Sequence, residues 1–348
     1  MLSDIRKLFY GIVKINEIEF VNKLKPNKFV AAVESLKAIT KKIYYSLTPK
    51  IRFIVFKYLV NIKKYENKSF DTVYFELRTR CNSQCSFCMA SIFTDNRDDI
   101  TMPIDLYEKI INELAAENFR GTIGFYVNNE PLLVKNLDQY IKIARRKLKN
   151  ANLRILTNGL KLNPTNGQML LDCGVNEIEV NLYQSSLKTV IPKGLVKFEN
   201  EVIKPLLNNR EVKANNDFMF RNREVRYHKV LRKVNEILTT RGGTAPNTDV
   251  KETVYDGFCA YPFWQLNVTA DGRVAQCCAD FYFDNFKLNC NENNIYNIWE
   301  SKEFSDLRKD LLKGDRSKNN MCKKCDYAGE NPRRTGSLLG KIFVGLIT

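Results

Sequence analysis

The sequence predicts an α/β protein built from parallel β/α units, with the sheet wound open or curled into a barrel. Three observations carry that prediction. From residue 71 onward, β-rich runs alternate with segments of helical spacing; the links between them are short; and the first three strands each run into a polar motif, the place where parallel sheets gather their chemistry.

The elements follow in order. Thr72 to Leu77 is a β-rich run that leads into a cysteine loop, and Ile104 to Phe119 has helical spacing with Pro103 at its start. Gly121 to Val127 reads as the second strand, Leu137 to Leu148 as the next helix and Leu153 to Leu156 as the third strand. A helix over 163–173 ending at Gly174 precedes a fourth strand, Glu177 to Tyr183. Beyond Lys188 the pattern weakens. A helix over Phe198 to Leu207 and a strand over Val225 to Val230 are expected, with a helix over Lys229 to Leu238 competing for the end of that strand. Asp271-Gly272 marks a hairpin between Trp264 to Val268 and Arg273 to Cys277, and one helix is expected over Ile295 to Leu312.

At 348 residues the chain has room for one large domain and a smaller one, and a hydrophobic content of 44% suits a globular protein. Ten cysteines in tight clusters, with no leader of the secretory type, point to metal ligation in a reducing, cytoplasmic compartment. The net charge of +16 is concentrated at one end: residues 1–70 carry thirteen Lys and two Arg against five acids, net +10. That distribution disfavours a nucleic-acid groove through the body of the protein. The run at 51–62 is apolar but is interrupted by Lys57 and falls short of the roughly 20 residues needed to span a bilayer. Residues 1–70 read as a basic helical extension, packed on the body or resting peripherally on an anionic membrane surface. His228 is the only histidine, and with no serine elbow or His-Glu motif beside it, it reads as a strand residue of no special role, which disfavours a hydrolytic triad or a His-rich zinc site.

The first polar motif is Cys81-Asn82-Ser83-Gln84-Cys85-Ser86-Phe87-Cys88. Three thiols at this spacing can converge on one inorganic cluster, and three ligands leave one corner of a four-iron cluster open, which is a mark of reactive rather than structural metal sites. On the residues alone, a zinc site or a group of free thiols stays open as well. The spacing, with an aromatic residue before the last cysteine, resembles the signature of the radical S-adenosylmethionine (SAM) enzymes. The resemblance implies a partial (β/α)6 TIM-like barrel and a [4Fe-4S] cluster on Cys81, Cys85 and Cys88 whose open iron chelates SAM. It also implies reductive cleavage of SAM to a 5′-deoxyadenosyl radical that takes a hydrogen from the substrate.

By the same resemblance, Asn128-Asn129-Glu130-Pro131 stands where the family has Gly-Gly-Glu-Pro and would hold the SAM amino group, with Glu130 its central member. Asn at two glycine positions is a departure, and tolerance of positive φ by Asn would preserve the strand exit. Thr157-Asn158-Gly159, a turn motif, would face the ribose or carboxylate, and Phe87 the adenine; a core position is the ordinary fate of such a Phe. Arg241, in the loop Thr239 to Gly243, is a candidate for gripping a polar substrate group, a surface cation being its commoner role.

A second cysteine set follows. Cys259, twelve residues to Gly272, four more to Cys277, then forty-four residues to Cys322-Lys323-Lys324-Cys325 supply four thiols, enough to close a metal site completely. Zinc would satisfy such a site equally well. In company with the first motif, the order resembles the SPASM or shorter twitch extension of radical SAM enzymes, a small Cys-rich α+β domain, and implies one auxiliary [4Fe-4S] cluster. Cys278 is expected to point away from Cys277 along the strand, and Cys290 to be a free thiol.

The expected organisation is residues 1–70 as the extension, 71–248 as the barrel, 249–335 as the auxiliary-cluster domain and 336–348 as a tail. The expected function is oxidation of a small polyol, sugar or aminocyclitol, with the substrate electron passed to the auxiliary cluster and an external donor of the flavodoxin or ferredoxin kind supplying the first cluster. A peptide maturase and a non-catalytic zinc-binding scaffold are the alternatives.

Overall fold

The structure is a computed structural model and describes residues 70–184, 191–208, 217–233, 239–247, 259–283 and 285–327. The basic extension, the apolar run at 51–62, the end of the expected helix at 234–238 and the tail lie outside these residues. Residues 69–329 form one compact unit.

Among the described residues the centre of the unit is an eight-stranded sheet in the order β5-β6-β4-β3-β2-β1-β7-β8. Strand β1 is Thr72–Phe75, β2 Thr122–Gly124, β3 Asn152–Thr157 and β4 Glu177–Gln184, and these four are mutually parallel in sheet order. Strand β6, Arg223–Lys233, runs parallel to β4. A short antiparallel strand β5, Asp217–Phe220, hairpins onto β6 through Arg221 and Asn222, both at positive φ. The helix expected over Lys229 to Leu238 therefore gives way to strand as far as Lys233, because pairing along the whole of β4 outweighs the helical spacing of that segment.

Helices α1 (Ile104–Ala116), α2 (Leu137–Lys147) and α3 (Pro164–Cys173) cover one face of the sheet. Leu106, Tyr107, Ile110, Ile111 and Leu114 form the buried stripe of α1, and Phe75 of β1 meets Tyr107 ring to ring at 5.0 Å. Asn163 caps α3 in a reciprocal box with Asn166, and Gly174 ends it at φ 106°. The fourth helix, α4, starts earlier than its spacing suggests: α at Lys193–Phe198, a π turn at Glu199–Ile203 and α again at Lys204–Asn208.

The opposite face of the sheet is polar and still buried. Glu177, Glu179 and Asn181 alternate along β4 with Ile178, Val180 and Leu182. Arg154 of β3 bridges Glu177 and Glu179, and Arg232 donates to Asn181 at 3.3 Å. Buried charges of this kind persist only where they are paired.

The sixth parallel strand comes from the second cysteine segment. Strand β7, Gln265–Val268, pairs in parallel with β1 and antiparallel with β8, Val274–Ala275. The expected hairpin is present, with Gly272 at φ 87° in the turn, a conformation that a side chain disfavours. It adds to the central sheet. The single helix expected over Ile295 to Leu312 is two, α5 (Ile295–Glu300) and α6 (Lys302–Lys313). Ser301 breaks them at ψ 159°, and its hydroxyl accepts from Phe304 N to cap the second.

Candidate functional site

The carboxyl ends of β1, β2 and β3 bring the three polar motifs together. Past β1 the chain coils on itself: Cys88 N donates to the Cys85 carbonyl at 3.2 Å, Ser91 N to Cys88 O at 3.1 Å and Ile92 N to Ser83 O at 3.1 Å. Cys81, Cys85 and Cys88 are free thiols on this coil. Burial pushes Cys81 up to about 12, and it raises Cys85, with the neighbouring thiols adding to both. Ionised sulfur at these positions therefore calls for a compensating cation, which a bound metal provides.

Glu130 is 1% exposed and fastens these loops together. Its Oε1 accepts from the Thr157 hydroxyl at 2.7 Å and from Leu132 N at 3.1 Å, and its Oε2 accepts from Asn158 N at 2.8 Å. Burial raises this carboxyl while the three donors pull it back. Asn158 carries the link to the cysteines, donating to Asn82 Oδ1 at 2.8 Å and lying 3.7 Å from Cys81 Sγ. Gly159 follows at φ 76°, its N–H donating to the Thr157 hydroxyl. Pro131 opens a short 3-10 turn through Leu133.

Neither Asn128 nor Asn129 adopts positive φ, so the strand exit needs no left-handed residue and the explanation of these asparagines by backbone tolerance is replaced by another. Their side-chain amides are buried, and both Nδ2 groups lack a partner. Two unsatisfied donors at the exit of β2 suit a ligand with carboxylate or hydroxyl oxygens, and SAM carries both. Phe87 is 5% exposed and packs on Tyr183 of β4, ring centroids 5.1 Å apart. Arg241 stands at positive φ and extends Nη2 to within 3.5 Å of Asn128 Oδ1. Its charge acts on Cys85 of the first set and on Cys278 beside the second.

The second set gathers Cys259, Cys277, Cys322 and Cys325, with Cys278 beside them. Cys278 acts electrostatically on Cys259 and Cys277, and the Tyr261 hydroxyl bonds to it. The expectation that it points away from Cys277 rested on strand alternation, and β8 stops at Ala275, short of residues 277 and 278. Burial pushes Cys259 and Cys322 up to about 12. Cys290 is free and fully buried next to α1, where Lys109 donates to its carbonyl at 2.7 Å. Among the described residues no group of three or more His, Cys, Asp or Glu is arranged to hold a single metal ion.

Two residues of this region escape a reading of motifs. Arg97 lies between Glu76 and Asp95 at 3.0 Å from each, donates to the Asn128 carbonyl at 3.2 Å and covers the Phe281 ring at 4.2 Å. Arg316 is buried beside the second cysteine set. The only sequence signal for Arg97 is a basic residue set among acids in Asp95-Asn96-Arg97-Asp98-Asp99.

Comparison with known proteins agrees with this geometry. The model of the radical SAM superfamily matches residues 76–191, and that of the SPASM iron-sulfur cluster-binding domain matches 259–326. The S-adenosyl-L-methionine-dependent 2-deoxy-scyllo-inosamine dehydrogenase of Niallia circulans is 26% identical over 260 residues, covering 75% of this chain and 94% of that protein. A crystal structure of BtrN in complex with AdoMet and 2-DOIA superposes with a TM-score of 0.58 at 25% identity, covering 74% of this chain and 94% of that one. BtrN in an open conformation gives 0.52 at 22% identity, covering 76% and 99%. Both cysteine sets lie inside matched domains, so the chain is an enzyme with a radical SAM domain and a SPASM domain, which bring S-adenosylmethionine, a SAM-binding [4Fe-4S] cluster and an auxiliary iron-sulfur site.

Proposed function

We propose that this radical SAM oxidoreductase oxidises a hydroxyl-bearing carbon of a small polyol, sugar or aminocyclitol to a carbonyl. Arg241 carries the reading, because one guanidinium acts on a thiol of the first cysteine set and on a thiol beside the second. A substrate held there would border both. The 94% coverage of a dehydrogenase acting on an aminocyclitol supports the same class.

When bound, SAM and its cluster supply a 5′-deoxyadenosyl radical, and the auxiliary cluster an acceptor for one electron. The chain supplies the positions. Cys81, Cys85 and Cys88 would ligate the first cluster, and Cys259, Cys277, Cys322 and Cys325 the second. Asn128 and Asn129 would donate their unpaired amide hydrogens to SAM. Glu130 acts by fixing the β2 and β3 exits, with Pro131, Thr157, Asn158 and Gly159 as the backbone frame. Phe87 and Tyr183 would form an aromatic wall for the adenine. Arg241 would orient the substrate through hydroxyl or anionic oxygens. Residues 71–248 are assigned to the barrel part and 249–335 to the auxiliary part. Reducing electrons would come from a flavodoxin or ferredoxin.

Anaerobic reconstitution tests the cofactor set. Two four-iron clusters give roughly eight irons per chain and a brown chromophore, whereas two zincs and no colour would overturn the reading in favour of a scaffold. Substrate class is tested with 2-deoxy-scyllo-inosamine and related polyols deuterated at carbon. Transfer of deuterium into 5′-deoxyadenosine, with one ketone formed per SAM cleaved, is the expected result. Cleavage without transfer from any of them removes this substrate class.

A further inference from the structure

We propose that Arg316 tunes the auxiliary site, its buried guanidinium raising the reduction potential of the iron-sulfur cluster held by Cys259, Cys277, Cys322 and Cys325. This inference rests on reading that set as a [4Fe-4S] site.

Arg316 is 2% exposed, and it leads the largest side chains of the described residues buried to that degree. Local structure turns it inward. Helix α6 ends at Gly314 with φ 80°, the chain reverses, and Arg316 then points back toward the C-x-x-C turn. Its Nη1 donates to the carbonyl of Cys325 at 2.9 Å and its Nη2 to the carbonyl of Tyr327 at 3.0 Å. The guanidinium is thus tied to the backbone of one ligand residue, and its charge acts on two more, Cys259 and Cys322.

Other donors address the sulfurs of the same set. Gln276, 1% exposed and held by Asn319 at 2.8 Å, places Nε2 at 3.6 Å from Cys322 Sγ, and Ala279 N lies 3.4 Å from Cys277 Sγ. The first cysteine set has a different neighbour, the carboxyl of Glu130, which acts on Cys81 in the opposite sense.

A cluster with four thiolate ligands carries net negative charge, and one-electron reduction increases it. A fixed positive charge nearby therefore stabilises the reduced state more than the oxidised one, and burial strengthens the effect by lowering the local dielectric. Arginine suits this place because its planar fork reaches the carbonyls of Cys325 and Tyr327 together while its charge persists at any working pH. A cluster held by these four cysteines would supply the acceptor for the one electron released when the hydroxyl of a substrate radical gives up its proton to solvent and the carbon becomes a carbonyl. A higher potential at the acceptor favours that transfer.

A purely structural clamp on two carbonyls predicts something else, and the potential separates the two. The full chain with Cys81, Cys85 and Cys88 all changed to Ala, reconstituted without oxygen, should hold about four irons and show one cluster signal in an electron paramagnetic resonance redox titration. In that background Arg316→Gln should lower the midpoint by on the order of 59 mV, a tenfold change in the one-electron equilibrium constant, while Arg316→Lys stays with its parent. A Gln variant that titrates with the parent, or a Lys variant that falls as far as the Gln one, overturns the inference. Should the Gln variant take up no iron, the Lys variant is titrated between about pH 6 and 10. Its potential must then fall more steeply with pH than the parent's as the buried lysine deprotonates, and equal slopes overturn the inference. Absence of iron from the triple-alanine parent would instead overturn the cluster reading itself.

Discussion

Replacing Arg97 with Met should destabilise the protein in a pH-dependent way. The side chain of Glu76 is fully buried, and Arg97, itself 12% exposed, faces it with Nη1 at 3.0 and 3.2 Å from the two carboxylate oxygens. Burial pushes Glu76 up to about 7 from its ordinary 4.5, with Asp95 and Asp271 pushing the same way and Arg97 opposing them. A carboxyl raised in the folded state contributes stability that is fully present below its unfolded value and is lost as pH rises through its folded value. For Glu76 that window runs from about 4.5 to about 7 in the parent. Without Arg97 the folded value climbs further, so the gap between variant and parent widens with pH. Leaving a buried carboxylate uncompensated costs about 3–5 kcal/mol, a loss expected in full near pH 8.5 and largely relieved near pH 5.5, where the proton replaces the guanidinium. Urea unfolding of the apoprotein under argon, followed by circular dichroism, measures it. A loss equal at both pH values, or below about 1 kcal/mol as for a surface pair, would refute the reasoning. Glu76→Gln in the Met background should recover most of the high-pH loss.

The remaining predictions concern the site and its packing. Cys88→Ala should abolish 5′-deoxyadenosine formation, because the first cluster loses a ligand, whereas Cys322→Ala should still cleave SAM and yield no oxidised product; chromatography of both products under single-turnover conditions checks the pair. Glu130→Gln keeps two acceptor positions on one oxygen but places an amide where Glu130 now accepts from Thr157 or Asn158, so SAM affinity should fall about tenfold, equivalent to about 1.4 kcal/mol, as read by equilibrium binding to reconstituted protein. Gly167→Ala sets a methyl 2.2 Å from the Phe198 ring, and overpacking of about 1–3 kcal/mol should exceed the roughly 1 kcal/mol that Ala gains in a helix, giving a lower unfolding midpoint.

The first three β/α units and β4 were legible because local signals agree with one another there. Pro103 starts α1, the Asn163 box and Gly174 bracket α3, and β3 alternates between half-buried and buried positions. Both cysteine sets were legible for a similar reason: metal ligation leaves thiols at fixed intervals that survive without any knowledge of the fold. What stayed hidden depends on partners distant along the chain. Strand β6 overrides its helical spacing through eight registered pairs with β4. Arg97 has meaning only with Glu76 and Asn128, separated from it by 21 and 31 positions. Cys278 comes to lie beside the second set where the strand ends two residues early, an outcome of packing that no alternation rule contains.

The hidden features also explain how one sheet serves two sites. The first cysteine coil leaves the end of β1, and the segment bearing Cys277 leaves the hairpin of β7, the strand hydrogen-bonded to β1 in register from Thr72 with Gln265 to Phe75 with Val268. Adjacent strands lie about 4.8 Å apart, so both segments leave one run of neighbouring strands, β1, β7 and β8, instead of two bodies joined by a linker. Arg97 reinforces the tie above the sheet, bonding Glu76 at the end of β1 and the Asn128 carbonyl past β2 while covering Phe281 from the second segment. Electron transfer between a substrate and a second cluster depends steeply on a separation that does not drift, and a shared strand pair holds that separation more firmly than a hinge. Loosening the Arg97 contact should therefore uncouple SAM cleavage from product formation before it stops cleavage itself, visible as more 5′-deoxyadenosine per ketone in Arg97→Lys than in the parent.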